Sequence, residues 1–343
     1  MTLRAAIVGY GKMGQIRHRA MERHGGFEVV CACDTHAGFD APIPLLTDPA
    51  AIYDHDPDVV FCCVPNRLIP DVVCEALERG KHVFSEKPPG RNAQDVRRMR
   101  DAEARNPELV LKFGFNHRFH DAIEDAKRLI DAGTLGDLYF MRGVYGKAGG
   151  ANYAQNWRND PAQSGGGILI DQGIHMLDLF LMFADHFSDV QSMVQRKFWT
   201  DVPVEDNAFA LMKTEQGVVA SLHSSATQWQ HKFTLELFAR GGFISVNGIL
   251  SASGTYGTEV LNVALNRLDK DGNPIPNPES QEVRYTDDHS WDKEIAEFHD
   301  AVVTGTPIRC GTSQQALDVM TLVERIYAAD TDWSAQMARA ATG

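Results

Sequence analysis

The chain has 343 residues, 43% of them hydrophobic and 9% aromatic, and a formal net charge of −13. Such length and apolar content fit a well-packed protein of two domains and exclude a disordered chain. The negative balance argues against nucleic acid or an anionic membrane surface as a partner.

Met1-Thr2-Leu3-Arg4 runs directly into a strand-like Ala5–Val8, so no signal peptide is expected and a cytoplasmic location is. Gly9-Tyr10-Gly11-Lys12-Met13-Gly14 follows that strand and opens a helix predicted over Lys12–Arg23. In that context G-x-G-x-x-G is a dinucleotide turn. Gly9 allows the tight turn, Gly11 the close approach of a pyrophosphate, and Gly14 the packing of helix on sheet. The phosphate charge then rests on the helix amino end. A second strand, Val29–Cys33, leads to Asp34, which is placed to accept from the adenosine ribose hydroxyls. Its carboxylate opposes a 2′-phosphate and Thr35-His36 supply no arginine, so NAD is expected rather than NADP. The link from Asp34 to Leu45 is short and proline-bearing, which predicts a reduced crossover there.

The strand Val59–Cys63 runs into Val64-Pro65-Asn66, where Asn66 either reaches the nicotinamide ribose or simply ends the strand. A helix over Leu68–Arg79 stops at Gly80, and the strand His82–Phe84 leads to Glu86-Lys87-Pro88-Pro89. The prolines fix the backbone and hold Lys87 at a strand's carboxyl end. Ligands of open α/β sheets collect at that end, where a lysine suits proton transfer. A helix over Ala93–Ala104 and a strand over Leu109–Phe113 complete an alternation that specifies a parallel sheet, assigned to a domain of residues 1–115. Cys31, Cys33, Cys62, Cys63, Cys74 and Cys310 form no C-x-x-C pair and read as buried free thiols of a reducing compartment.

After Asn116 the pattern changes. One helix, Asp121–Asp131, precedes strands predicted at Leu138–Gly143, Val190–Thr200, Asn207–Lys213, Val218–Ser225, Phe233–Ala239 and Phe243–Val246. Consecutive strands joined by turns predict a mostly antiparallel sheet in a second domain, residues 116–343. Tyr145–Tyr153 reads as a loop over a pocket, in which Lys147 either is solvated or meets a phosphate or carboxylate. A helix near Gly167–Phe183 carries Asp171, His175 and Asp178 at i, i+4 and i+7, which places all three on one face. Histidine titrates near neutral pH and suits removal of a hydroxyl proton. Asp171 would orient the imidazole or bind a neighbouring hydroxyl. Zinc on Asp171 and His175 lacks a third ligand, so no metal is expected. The apolar Ile174–Phe183 is too short to span a bilayer. Helices over Trp291–Val303 and Ser313–Ala329, an exposed loop at 270–279 and a mobile tail complete the expectations.

Together, Gly9–Gly14, Val64-Pro65-Asn66, Glu86-Lys87-Pro88, Asn116-His117-Arg118, Trp157-Arg158 and Gly165–Asp178 resemble the Gfo/Idh/MocA family, the relatives of glucose–fructose oxidoreductase and inositol dehydrogenase. The resemblance covers nearly the whole chain. It implies an α/β Rossmann domain followed by an α+β domain with an open-faced sheet that commonly mediates homodimers or homotetramers. It also implies a catalytic group of Lys87, Asp171 and His175 between the domains, with the direct base left open between Lys87 and His175. Cofactor contacts are implied at Gly9, Gly11, Lys12, Met13, Gly14, Asp34, Val64, Pro65, Asn66, Glu86, Lys87, Trp157 and Arg158. Substrate contacts are implied at Lys87, Asn116, Arg118, Asp171 and His175. The expected activity is NAD-dependent hydride transfer at a ring carbon of a sugar, cyclitol or nucleotide-linked sugar. Alternatives are a glycoside-cleaving enzyme that oxidises the sugar transiently and a silent NAD-responsive regulator. Family members often carry a histidine where this chain has Ile69, which reads as a surface variation.

Overall fold

The computed structural model describes residues 1–36, 41–150, 152–251 and 253–342. The backbone divides into two compact units. The first holds Met1–Asn116, Ala162–Gly165 and His289–Met320, and the second His117–Pro161, Gly166–Asp288 and Thr321–Gly343.

In the first unit the apolar runs become β1 (Leu3–Val8), β2 (Phe27–Cys33), β3 (Leu45–Leu46), β4 (Val59–Cys62), β5 (His82–Glu86) and β6 (Leu111–Gly114). Between them lie α1 (Lys12–His24), α2 (Ile69–Glu78) and α3 (Ala93–Arg105). The sheet is parallel, in the order β3-β2-β1-β4-β5-β6. Its strands are continuous apolar runs because both faces are covered; all of Val59–Cys62 is buried. The two-residue β3 was not expected, and a 3₁₀ turn over Pro49–His55 stands where a crossover helix would otherwise lie.

The second unit contains α4 (Asp121–Asp131), β7 (Leu138–Ala148), α6 (Ile174–Ala184) and strands β8 (Phe187–Gln195), β9 (Asn207–Thr214) and β10 (Val219–Ser225). The short α5 (Pro161–Ser164) precedes α6 in the chain. The strands continue as β11 (Thr227–Ala239), β12 (Gly242–Asn247), β13 (Glu259–Leu265) and β14 (Ser280–Tyr285). The sheet order is β14-β13-β12-β11-β7-β10-β9-β8, antiparallel throughout except for the β7–β10 pair. Along β9, Ala208, Ala210 and Met212 are buried while Phe209 and Leu211 are exposed, the period of two expected of a half-covered sheet. A Cβ on Gly143 of β7 would lie 2.5 Å from the Met176 side chain, so α6 lies directly on the inner face of that strand.

Three helices end the chain: α7 (Ser290–Thr304), α8 (Ser313–Ala329) and α9 (Thr331–Thr342). α7 packs in the first unit, where Phe298 meets Phe61 and Phe84 edge-on at 5.6 and 5.5 Å. Several expectations are corrected. Strands β13 and β14 were missed, and the supposed tail is α9, anchored by the buried Trp333. Tyr145–Ala148 continues β7 instead of forming a loop. The helical run Pro161–Ala184 is long and apolar enough to cross a membrane by length and composition, yet 67% of its most apolar window is buried inside the protein. It is therefore a core helix, and its apolar stretch is longer than Ile174–Phe183 suggested.

Candidate active site

In the first unit, β1 leads into Gly9, whose φ of 92° only glycine adopts readily. A Cβ there would meet the Cys63 carbonyl oxygen at 2.5 Å, so the glycine turn lies tight against the end of β4. A Cβ on Gly14 would lie 2.2 Å from the Gly9 carbonyl oxygen, which makes that glycine a packing requirement. Gly11 is different: a Cβ there meets nothing within 4 Å. It caps α1 without a side-chain hydrogen bond, and no acidic residue stands in the first turn. The chain thus leaves an open cradle over backbone N–H donors at a positive helix end, a fit for a pyrophosphate. Lys12 and Met13 follow as the first residues of α1. Asp34 is joined to this turn through the Tyr10 N–H, at 2.8 Å from Oδ2, while Oδ1 accepts from the His36 N–H at 2.9 Å.

The cradle lies between β1 and β4, where the strand order reverses and open α/β sheets bind ligands. Lys87 follows β5, the strand next to β4, and is half-buried. Glu86 faces inward: its Oε1 accepts from Arg17 Nε at 2.6 Å. Val64 and Pro65 lead from β4 into a 3₁₀ turn, and the Asn66 amide donates to the Ser164 carbonyl at 2.8 Å. Asn66 thus fixes the backbone before the glycine run. Ile69 is fully buried at the start of α2, so the surface reading of that departure is wrong. Asn116 is buried and donates to Ser290 Oγ at 3.2 Å.

In the second unit Asp171 and the α6 residues His175 and Asp178 stand in two kinds of helical turn. Leu169–Gly173, which carries Asp171, is a π-helical turn, wider than the α turns of the other two. The Gly167 and Leu169 N–H groups that open it both donate to Glu205, at 2.9 Å each, and Tyr327 donates to the same carboxylate at 2.8 Å. Burial pushes the Glu205 carboxyl above its ordinary range, and these hydrogen bonds oppose the shift. The glycines are spent on protein: a Cβ on Gly167 would lie 2.3 Å from the Glu205 carbonyl, and one on Gly166 2.3 Å from the Tyr327 hydroxyl.

His175 is buried and stacks on His117, with ring centroids 3.7 Å apart, and His117 Nε2 meets the Tyr145 hydroxyl at 3.1 Å. Asp178 holds Arg118 in a fork, Nε at 2.7 Å and Nη2 at 2.6 Å. Both are buried, so Arg118 is held in an ion pair within this core. Asp171 lies between two cations: Lys147 Nζ at 2.6 Å and Arg158 Nε at 3.3 Å. Lys147 is therefore not the solvated lysine expected. Arg158 also lies over the Trp157 ring, 4.5 Å from its centroid. Sequence reasoning missed Glu205, Tyr327 and the roles of His117 and Tyr145, because their partners are far along the chain and no spacing marks them.

An open glycine cradle, an acidic residue after the second strand and a 3-2-1-4-5-6 parallel sheet define a dinucleotide-binding Rossmann protein. Residues 3–113 match the model of an oxidoreductase family with an NAD-binding Rossmann fold, and residues 123–245 match a GFO/IDH/MocA C-terminal domain. The chain belongs to the Gfo/Idh/MocA oxidoreductase family. It is 30% identical over 248 residues to D-glucoside 3-dehydrogenase of Escherichia coli K12, covering 65% of this chain and 70% of that one. It is 28% identical over 229 residues to inositol 2-dehydrogenase of Salmonella typhimurium, covering 64% and 66% respectively. Levoglucosan dehydrogenase, solved with NADH and levoglucosan, shares the fold at a TM-score of 0.84 and 20% identity, over 97% of this chain and 98% of that one.

Proposed function

We propose that this protein is an NAD-dependent dehydrogenase acting on a ring hydroxyl of a sugar or cyclitol. The observation that carries the reading is the open cradle at Gly11, set at the sheet's switch point with Lys87 at the end of the neighbouring strand pair. The relatives' activities on glucosides and inositols support it. Bound NAD would supply the acceptor for a hydride from the carbon that bears the hydroxyl. Gly9–Gly14, Asp34, Val64 and Pro65 would hold it, and Trp157 with Arg158 would flank the nicotinamide end.

His175 takes the hydroxyl proton on an imidazole nitrogen, and Lys87 steadies the oxygen with its ammonium. Asp171 accepts from a neighbouring hydroxyl. The test is a panel of sugars and cyclitols with NAD, followed at the absorbance band of the reduced nicotinamide. Reduction by at least one polyol is expected. Failure of every polyol by protein that demonstrably binds NAD would overturn the reading.

A homodimer or homotetramer through the open face of the second sheet belongs to the same proposal. Met193, Phe209, Leu211 and Val219 are exposed on adjoining strands of that sheet, and α7 packs in the other unit instead of covering them. A monodisperse monomer in light scattering at micromolar concentration would refute this. Six free cysteines support a reducing compartment such as the cytoplasm.

A further inference from the structure

Resting on that reading, we infer that the substrate carries an anionic group, a carboxylate or a phosphate, and that Lys147 and Arg158 receive it. Along β7 the side chains alternate between faces, so Lys147 shares the inner face with Gly143 and Tyr145. Gly143 lies against Met176 of α6, and Tyr145 meets His117, which stacks on His175. Lys147 is the next inward residue of that strand, beside the proposed chemical group. Its ammonium and the Arg158 guanidinium open into a cavity of about 300 Å³ that Asp171, Asn152, Asn156 and Asn159 also line.

The charge count in that cavity does not close. Two cationic heads face one carboxylate, which leaves one formal positive charge in excess in a chain of net charge −13. Neither head is used up. Among the described residues Lys147 gives one ammonium hydrogen bond, to Asp171, and the Arg158 side chain makes one ion pair, through Nε, besides its contact with the Trp157 ring. The remaining donors are reachable, because the Lys147 side chain is 23% and the Arg158 side chain 40% exposed. A neutral polyol needs only the asparagines and Asp171. An anionic group on the substrate completes two cations with two anions, and a guanidinium beside an ammonium suits a carboxylate or phosphate alike.

The experiment measures kcat/KM with NAD for D-glucose, D-glucuronate and D-glucose 6-phosphate, which differ only at one carbon. At least one acid should exceed glucose by about tenfold or more. Glucuronate leading identifies a carboxylate, and the 6-phosphate leading identifies a phosphate. Lys147→Gln should bring that ratio close to one, whereas a lysine that only braces Asp171 would lower acid and neutral sugar alike. Glucose turned over as well as both acids, or a ratio unmoved by Lys147→Gln, overturns the anionic subsite and leaves the dehydrogenase reading standing. If none of the three reduces NAD, thermal unfolding of the NADH complex decides. An acid that raises Tm where glucose does not, with the effect lost in Lys147→Gln, supports the subsite; no such shift overturns it.

Discussion

Arg17 on α1 and Glu86 at the end of β5 meet at 2.6 Å with both side chains buried, which ties the helix behind the glycine turn to the residue preceding Lys87. Glu294 of α7 takes the other side of the same guanidinium at 2.6 Å, and the Phe84 and Trp291 rings lie over it. Burial works against this cation, yet Glu294 and Glu86 hold its pKa above the ordinary arginine value. Burial likewise pushes the Glu294 carboxyl up, with Arg17 opposing. Arg17→Met therefore strands two buried carboxylates and should cost about 3–5 kcal/mol in urea unfolding. A loss below about 1 kcal/mol, the range of a surface pair, would contradict this picture.

Two glycines of one motif should fail in different ways. Gly14→Ala drives a Cβ into the Gly9 carbonyl at 2.2 Å, so the folded state itself should weaken. Gly11→Ala meets no atom within 4 Å and should stay within about 0.5 kcal/mol of the parent in unfolding. Its methyl occupies the cradle instead, and NAD affinity should fall about tenfold or more by calorimetry. Unchanged NAD binding in Gly11→Ala would remove the cradle from the cofactor site.

Asp34 should set the preference between cofactors. Its carboxylate is fixed by the Tyr10 and His36 N–H groups in the turn where an adenosine ribose would lie. NAD should bind more tightly than NADP, and Asp34→Ala should narrow the gap by losing both the ribose bonds and the repulsion. Equal binding of the two by the parent protein would refute the assignment.

Lys87→Ala and His175→Ala should each depress turnover by about a hundredfold or more while nearly sparing NAD affinity. Such a split belongs to groups that act on the substrate oxygen. Near-normal turnover in both variants would rule out the proton-handling pair.

Glu259 makes the second unit sensitive to acid. Burial raises its carboxyl pKa, but His120 at 2.7 Å and the Ala122 and Leu250 N–H groups outweigh that and hold it below 4.5. A depressed folded value means stability that is present above the unfolded pKa and lost as pH falls through the folded one. The parent should therefore lose stability below about pH 4.5, and Glu259→Gln should show a flatter profile over that window. Parallel profiles for the two proteins would show that Glu259 does not carry this dependence.

Local chemistry made much of this protein legible. The glycine turn, Asp34, the strand carrying Glu86-Lys87-Pro88 and the helix Asp121–Asp131 are short-range patterns, in which spacing alone dictates backbone shape. β14 was not legible, because Ser280–Tyr285 is exposed along nearly its whole length, carries little apolar alternation and exists through its ladder partner, whereas β13 was missed although Glu259–Leu265 is largely buried.

What the sequence by itself determined is the parallel sheet, its nucleotide turn and the kinds of residue brought to the chemistry. Only the tertiary structure decided how those residues are used. The π turn at Leu169–Gly173, which carries Asp171, is held by Glu205 and Tyr327. Arg118 went to Asp178, Asn66 to the Ser164 carbonyl and Lys147 to Asp171, partners 60, 98 and 24 residues away. A buried polar group must be satisfied by whatever the fold brings within 3 Å or so, and that partner is set by packing across the chain, not by its neighbours in sequence.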